Sequence, residues 1–161
     1  MYNVTVIMPV YNQSTYVRCA VSSIFRQSLS SWQLIMVDDG STDNLYDAVS
    51  GFLSDGRISY VRNEENKGLG YSLNRAMDMA DAEYIAYLPA DDIYFRDHLQ
   101  TMYDKIVSES ADMVYSGIVH NIGNHGGERG TQQCRGLEID KVILMRFYNN
   151  VVRHTTSFDI K

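Results

Sequence analysis

Three apolar segments of this chain each run directly into a polar or acidic turn, and this arrangement limits the possible folds more than any other feature. The three junctions are Met-Pro-Val-Tyr-Asn at 8–12, Val-Asp-Asp-Gly-Ser-Thr-Asp at 37–43 and Leu-Pro-Ala-Asp-Asp at 88–92. In an open α/β sheet, the turns that follow parallel strands gather at one edge, where ligands bind. Carboxylates gathered at that edge suggest a cation and a phosphorylated ligand.

The rest of the chain alternates between strand-like and helix-like patterns. Apolar runs predict strands at 3–8, 33–37, 57–62, 83–88 and 112–116, of which the partly polar 57–62 is expected at a sheet edge. Apolar residues at helical spacing predict helices between these strands, including one at about 43–53 that Ser41 or Thr42 would cap. A short helix is predicted at 138–147 and a loop at 121–130. The alternation predicts an α/β, three-layer sandwich with a mainly parallel sheet.

Length, composition and charge limit which classes of protein and which binding partners are possible. At 161 residues the chain is long enough for one domain with a proper core. Its net charge of -6 argues against a nucleic-acid partner, which would require a basic face. No apolar run approaches the roughly 20 residues of a membrane span. The first residues enter a strand without a basic or apolar leader, so we expect a cytoplasmic protein.

The acidic turns each allow two interpretations. Asp38 and Asp39 lie in a turn whose residue types favour helix capping, but one of them could accept hydrogen bonds from an imide N–H or a ribose hydroxyl. Asp91 and Asp92 either stabilise a helix N-terminus or hold Mg²⁺ or Mn²⁺ together with substrate phosphates. Tyr11 is either a surface aromatic residue or a flat platform for a base.

The segment Asn-Lys-Gly-Leu-Gly at 66–70 opens a predicted helix, and its glycines allow close backbone approach. Lys67 is a candidate for contact with a phosphate. The segment is not the dinucleotide fingerprint, because Leu73 stands where the third glycine would be and no strand directly precedes it.

In their order and spacing, these motifs resemble the inverting glycosyltransferases of family 2, which have the nucleotide-diphospho-sugar transferase fold of GT-A type. The matching segments are 6–12, 37–43, Asn66 with Gly68, Leu73 with Asn74, and 90–94. The resemblance implies a single domain over 1–161 that binds a nucleotide-diphosphate sugar, UDP-linked, with Mg²⁺ or Mn²⁺. It also implies sugar transfer with inversion to a hydroxyl of a saccharide or lipid-linked acceptor, in cell-surface polysaccharide synthesis. Such an enzyme would lie in the cytoplasm, with peripheral association at the inner face of the membrane as the alternative.

The family's functional residues carry over to matching positions of this sequence. Pro9, Val10 and Tyr11 would hold the nucleotide base, with Tyr11 stacking on it, and Asp39 would accept the base N3–H while Asp38 helps to shape the pocket. The remaining candidates are Lys67, at a position that is basic and near the nucleotide in the related spore-coat enzyme, Ala90 beside the donor, and Asp91 and Asp92 as metal ligands. Asp91 matches the last acid of the family's Asp-x-Asp motif, whose first acid is replaced here by Pro89.

No motif in this chain matches the family's general base, which is an acid in an acceptor-side segment. The catalytic base is therefore unassigned, and we expect the donor-binding half of a longer enzyme whose acceptor segment is missing. Two alternatives remain open, a non-catalytic nucleotide-sugar-binding module and a nucleotidyltransferase. The latter class usually has a Gly-rich, basic phosphate loop after its first strand, where this chain has Pro-Val-Tyr-Asn-Gln at 9–13.

Overall fold

A computed structural model describes residues 1–116 and the backbone of 143–146. The strands are β1 (Val4–Val10), β2 (Trp32–Asp38), β3 (Ile58–Arg62), β4 (Tyr84–Tyr87), β5 (Met113–Tyr115) and β6 (Ile143–Arg146). The α-helices are α1 (Ser14–Phe25), α2 (Leu45–Val49), α3 (Leu69–Asp78) and α4 (His98–Ser108), and a 3₁₀ turn, Ser50–Phe52, follows α2. Each strand predicted up to residue 116 is present, with bounds that differ by one or two residues.

The strands form one sheet in the order β3-β2-β1-β4-β6-β5. Strands β1 to β4 are mutually parallel, whereas β6 runs antiparallel to both β4 and β5. Val4 of β1 pairs with Trp32 of β2 on one side and with Tyr84 of β4 on the other, so β1 is central. The predicted mainly parallel sheet is confirmed, and β3 lies at an edge of the described sheet as expected.

Helices cover both faces of this sheet because successive residues of each strand point to opposite sides. One face carries Val6 and Met8 of β1 in a core cluster with residues of α1, α2 and α4. The opposite face carries Ile7 in a smaller cluster with Ala76 and Met77 of α3. These two cores make the three layers of the predicted sandwich. None of the helices in the described part of the chain has the length and hydropathy needed to cross a membrane.

Two details of the sequence prediction are wrong. Residues 143–146, predicted within a helix, form strand β6, because pairing with β4 and β5 decides the state of a short apolar run that fits either pattern. Helix α2 begins at Leu45 after Asn44, without a capping side-chain hydrogen bond, so neither Ser41 nor Thr42 caps it. The predicted loop at 121–130 and the remainder of 138–147 lie outside the described residues.

Candidate functional site

An open cleft with a volume of about 440 Å³ lies at the carboxyl ends of β1, β2 and β4. Strand order reverses between β1 and β4, since β2 and β3 extend the sheet on one side of β1 and β4 on the other. This is the point at which open α/β sheets bind ligands. The cleft is lined by Pro9, Val10, Tyr11, Gln13, Asp39, Asn66, Gly68, Leu69, Ser72, Tyr87, Pro89, Ala90 and Asp91.

Six of the predicted site residues lie in this lining, and three do not. The six come from all three predicted turns: Pro9, Val10, Tyr11, Asp39, Ala90 and Asp91. The side chain of Tyr11 is 45% exposed, so its ring is accessible to a ligand. Asp38, Lys67 and Asp92 are outside the lining.

Asp39 is a buried carboxylate held by several donors. Its Oδ1 accepts hydrogen bonds from Asn63 Nδ2 at 2.6 Å and the Lys67 N–H at 2.9 Å, and its Oδ2 accepts one from the Gly68 N–H at 2.8 Å. Burial raises the pKa of this carboxyl, but the hydrogen bonds from Lys67, Asn63, Ser72 and Gly68 together lower the pKa below 3.8. Asp39 is therefore ionised at neutral pH and can only accept hydrogen bonds.

Asp38 is fully buried and binds a separate set of partners. Its Oδ1 accepts from the Ser41 N–H at 2.7 Å, and its Oδ2 accepts from the Tyr60 hydroxyl at 2.6 Å and from Arg62 at 2.8 Å. Burial raises the pKa of Tyr60, and the hydrogen bond to Asp38 raises it further, so the phenol stays a donor. The two adjacent carboxylates thus coexist because each has its own donors, and Asp38 is a structural residue behind the cleft.

The turn after β1 is tied to the turn after β2. Asn12, with a left-handed φ of 54°, donates its N–H to Ser41 Oγ at 3.0 Å, and its Oδ1 accepts from the Thr42 N–H at 2.7 Å. Asp43 Oδ2 accepts from the Ser14 N–H at 2.8 Å, which satisfies one free donor at the start of α1. The Asp-Gly-Ser-Thr-Asp turn therefore fixes the loop that carries Tyr11.

Gly40 allows a third segment to join these two turns. Its φ is 73°, and a Cβ built on it would lie 2.5 Å from the carbonyl carbon of Glu65 and 2.7 Å from the backbone nitrogen of Asn66. The chain that leads into α3 therefore passes directly over the turn, where a side chain would block it. This close approach places the backbone N–H groups of Lys67 and Gly68 on Asp39.

The side chain of Lys67 forms an ion pair with Glu65 at 2.9 Å, and both residues are exposed. Its backbone, not its ammonium group, is the part that contacts the site. An exposed pair of this kind is weak because water screens both charges, and it leaves the side chain able to exchange partners.

Asp91 and Asp92 have different surroundings. Asp91 is exposed in the cleft lining, whereas Asp92 is 8% exposed. Burial raises the pKa of Tyr87, and the charges of Asp91 and Asp92 add to that increase, which shows that this end of the cleft is electronegative. Within residues 1–116, no three His, Cys, Asp or Glu side chains are grouped so that they could hold a metal ion.

This chemistry fits a hard cation that shares its shell with a ligand. Mg²⁺ in such sites is held by one or two carboxylates, with substrate phosphates and water as the other ligands. Asp91 supplies one carboxylate in the cleft, next to the charge of Asp92.

The loop that carries Asp91 is anchored to α1. Tyr94 N–H donates to Ser23 Oγ at 3.0 Å, and Gln27 Nε2 donates to the Phe95 carbonyl at 2.8 Å. Gln27 Oε1 also accepts from the Leu99 N–H at 2.9 Å, near the start of α4. Ser23, on α1, and Gln27, just after it, are buried polar residues, so they hold the Asp91 loop from behind.

A second cavity of about 450 Å³ lies at the start of α4. It includes His98, whose Nε2 has no hydrogen-bond partner among the described residues and whose pKa burial lowers to about 4. None of the residues that the sequence singled out lines this cavity. The first cleft is therefore the candidate site.

Comparison with known proteins gives consistent matches. The family model "Glycosyl transferase family 2" matches residues 5–159. The chain is 33% identical over 122 residues to the Escherichia coli UDP-Glc:alpha-D-GlcNAc-diphosphoundecaprenol beta-1,3-glucosyltransferase WfgD, a match covering 74% of this chain and 48% of the relative. The chain thus spans about half the length of that relative.

Two solved structures of similar fold contain ligands. S. aureus TarS 1-349 in complex with UDP superposes with a TM-score of 0.67 at 25% identity, covering 81% of this chain and 38% of that one. Mannosyltransferase PcManGT from Pyrobaculum calidifontis, in complex with GDP-Man and Mn²⁺, superposes with a TM-score of 0.66 at 25% identity. The match covers 75% of this chain and 37% of that one.

Proposed function

This chain belongs to glycosyl transferase family 2, and on that basis we propose that its cleft binds a nucleotide-diphosphate sugar, UDP-linked, as the donor for glycosyl transfer. The observation that carries the proposal is that Tyr11, Asp39 and Asp91, from three separate turns, line one cleft at the point where strand order reverses. The UDP complex of TarS supports a UDP-linked donor, and the GDP-Man complex of PcManGT supports the broader class of nucleotide-diphosphate sugars.

The chemistry of Asp39 favours a base that carries a ring N–H, such as uracil, over cytosine and adenine. An ionised carboxylate accepts hydrogen bonds and cannot donate. Uracil presents an N3–H donor and guanine an N1–H donor, whereas cytosine N3 and adenine N1 carry no hydrogen and would face the carboxylate with a lone pair. Of the first two bases we propose uracil, because TarS binds UDP and WfgD is named for UDP-Glc. Oδ2 of Asp39 accepts from the Gly68 N–H, and because a carboxylate oxygen can accept more than one hydrogen bond, it can also accept one from a base. The exposed ring of Tyr11 would stack on the base from the turn after β1.

Asp91 would hold Mg²⁺ or Mn²⁺, with Asp92 as the neighbouring charge. The diphosphate and the cleft carboxylates are all negative, so their approach is favourable only when a cation lies between them. When bound, the cation would neutralise the charge that develops on the departing nucleoside diphosphate. Asp91 would bind and orient the cation in the cleft.

The proposed reaction is transfer of the sugar, with inversion, to a hydroxyl of a saccharide or lipid-linked acceptor in cell-surface polysaccharide synthesis. Family membership favours this over nucleotidyl transfer. A base must take the proton of the attacking hydroxyl, a contribution of about 10²–10⁴-fold, and we assign no described residue to that role. We propose a cytoplasmic location, with peripheral association at the inner face of the membrane for a lipid-linked acceptor.

Binding of UDP is expected to depend on the metal and on Asp91. In isothermal titration calorimetry, we expect UDP to bind the wild-type chain at least about tenfold more tightly with Mn²⁺ than with EDTA, because the cation offsets repulsion within the cleft. Asp91→Ala is expected to reduce the affinity in Mn²⁺ to that of the metal-free protein, and Asp92→Ala to weaken it far less.

Asp104→Ala removes an exposed carboxylate on α4, outside the cleft, and serves as the matched control. We expect it to bind like the wild type. Equal UDP affinity with Mn²⁺ and with EDTA would remove Asp91 from the metal role. A greater loss in Asp92→Ala than in Asp91→Ala would move that role to the neighbouring residue.

A further inference from the structure

A buried amide and a guanidinium support Asp39 from outside the cleft lining. Asn63 directly follows β3 and is 3% exposed, and Arg75 lies in the last turn of α3. Neither residue lines the cleft. Any effect that they have on a ligand must therefore act through Asp39 or Ser72, which do line it.

Both the nitrogen and the oxygen of the Asn63 amide form hydrogen bonds. Its Nδ2 donates to Asp39 Oδ1 at 2.6 Å and to Ser72 Oγ at 3.0 Å, and its Oδ1 accepts a hydrogen bond from Arg75. Its backbone N–H donates to the Asp38 carbonyl at 2.8 Å, and the same Arg75 nitrogen also donates to the Arg62 carbonyl at 2.9 Å. Both the backbone and the side chain of Asn63 are thus fixed.

These partners permit only one orientation of the amide. A guanidinium has only donors and an ionised carboxylate only acceptors, so the oxygen must face Arg75 and the nitrogen must face Asp39. Rotating the amide by 180° would place its oxygen against the carboxylate of Asp39 and its NH₂ group against the guanidinium of Arg75. Arg75 therefore selects the orientation in which Asn63 donates to Asp39.

We propose that Asn63 and Arg75 are positioning residues that direct Asp39 toward the donor base, an inference that rests on the proposed function. Asn63 and the Lys67 N–H donate to Oδ1 of Asp39, whereas Oδ2 accepts from the Gly68 N–H, so these nitrogen donors leave more acceptor capacity on Oδ2 than on Oδ1. A carboxylate that is already oriented loses less conformational entropy when the base binds, and this improves the affinity for the nucleotide.

Asn63→Asp tests this positioning role because it keeps the shape of the side chain and replaces the amide NH₂ with a group that can ionise. When protonated, the introduced carboxyl group can donate its single O–H to Asp39, as one N–H of the amide does, while its other oxygen accepts from Arg75. When ionised, it repels Asp39, and two such carboxylates share one proton over a range of pH. The charges around the pair are Arg75 from α3, Arg62 paired with Asp38, and Lys67 paired with Glu65.

The experiment measures the dissociation constant of UDP with Mn²⁺ from about pH 5 to pH 8, for the 161-residue wild-type chain and for Asn63→Asp. The ratio of the two constants at each pH removes the titration of the nucleotide itself. We expect Asn63→Asp to bind nearly as well as the wild type at the acidic end and about tenfold or more weakly at the alkaline end. A merely structural role would give a ratio that does not vary with pH.

Arg75→Gln is the second variant, and Arg18→Gln, at an exposed position of α1, is its matched control. We expect Arg75→Gln to bind UDP about threefold more weakly at every pH, as for the loss of one hydrogen bond, and the control to bind normally. Circular dichroism verifies that each variant is folded, and Arg75→Gln alone decides the question if Asn63→Asp is not folded.

The outcomes separate this inference from the proposed function. A wild-type chain that binds no UDP with Mn²⁺ at any pH would overturn both. If the wild-type chain binds UDP, either of two results would overturn only the positioning role of Asn63 and Arg75. One is a ratio of dissociation constants for Asn63→Asp that does not change with pH. The other is an affinity of Arg75→Gln for UDP that equals the affinity of Arg18→Gln.

Discussion

Gly40→Ala is expected to lower the free energy of unfolding by about 3 kcal/mol, because left-handed strain and a backbone clash add at one position. Its φ of 73° is costly for a residue with a side chain, and the new Cβ would lie 2.5 Å from the carbonyl carbon of Glu65. Neither the turn nor the passing chain can move freely, since Asp39 binds the N–H groups of Lys67 and Gly68. Urea unfolding followed by circular dichroism measures the loss.

Two other glycines separate the contributions of strain and clash. Gly68 has a φ of 86° and a ψ of 162°, a conformation that essentially only glycine adopts, but open space around a built Cβ, so Gly68→Ala is expected to cost only backbone strain, about 1–3 kcal/mol. Gly51 has neither feature, and Gly51→Ala is expected to change stability by less than about 0.5 kcal/mol. A loss in Gly40→Ala below about 2 kcal/mol, no more than left-handed strain alone would cost, would contradict the close approach between residues 40 and 65.

Asp39→Asn is expected to weaken UDP binding in the presence of Mn²⁺ by about 100-fold. The substitution replaces a charged acceptor with an amide whose NH₂ would face the donors from Asn63, Lys67 or Gly68. The base N3–H would also lose its charged partner. Calorimetric titration of UDP measures the change, and Asp104→Asn, outside the cleft, is the control expected to bind normally. A loss below about threefold would contradict the assignment of the base to Asp39.

The same variant should alter how stability depends on pH. The pKa of Asp39 is lowered in the folded protein below its ordinary value of 3.8. Its contribution to stability is therefore complete above that value and is lost as the pH falls through the lower folded-state pKa. We expect the difference in unfolding free energy between the wild type and Asp39→Asn to be constant near neutral pH and to shrink below 3.8. A difference that does not change on acidification would show that the ionised form is not favoured by folding.

Most of the fold could be predicted from the sequence because it depends on local patterns. Strands β1 and β2 are continuous apolar runs, since both faces of each strand are buried, and the helices between strands have clear apolar faces. The mainly parallel sheet follows from the alternation of strands and helices, whereas its GT-A type follows from the resemblance to family 2 glycosyltransferases, and the TarS and PcManGT structures confirm this fold class. Strand β6 was missed because its state depends on distant partners, β4 and β5.

The residues of the site could be predicted from the sequence only where a strand leads directly into one of the motifs. Tyr11, Asp39 and Asp91 were placed at one edge because each follows a strand. The separate roles of Asp38 and Asp39 could not be predicted, since they depend on Tyr60, Arg62 and other residues distant in sequence. Asn63 was missed, although it follows β3 as Asp39 follows β2 and therefore belongs to the same edge.

The most direct test of the donor site is a crystal structure of the chain with UDP and Mn²⁺, measured with anomalous scattering from manganese. We expect the uracil to stack on Tyr11 with its N3–H on Asp39 Oδ2, and the manganese peak to lie between Asp91 and the diphosphate. A nucleotide or manganese ion bound elsewhere, such as in the cavity beside His98, with the cleft at Asp39 unfilled, would contradict the proposed site.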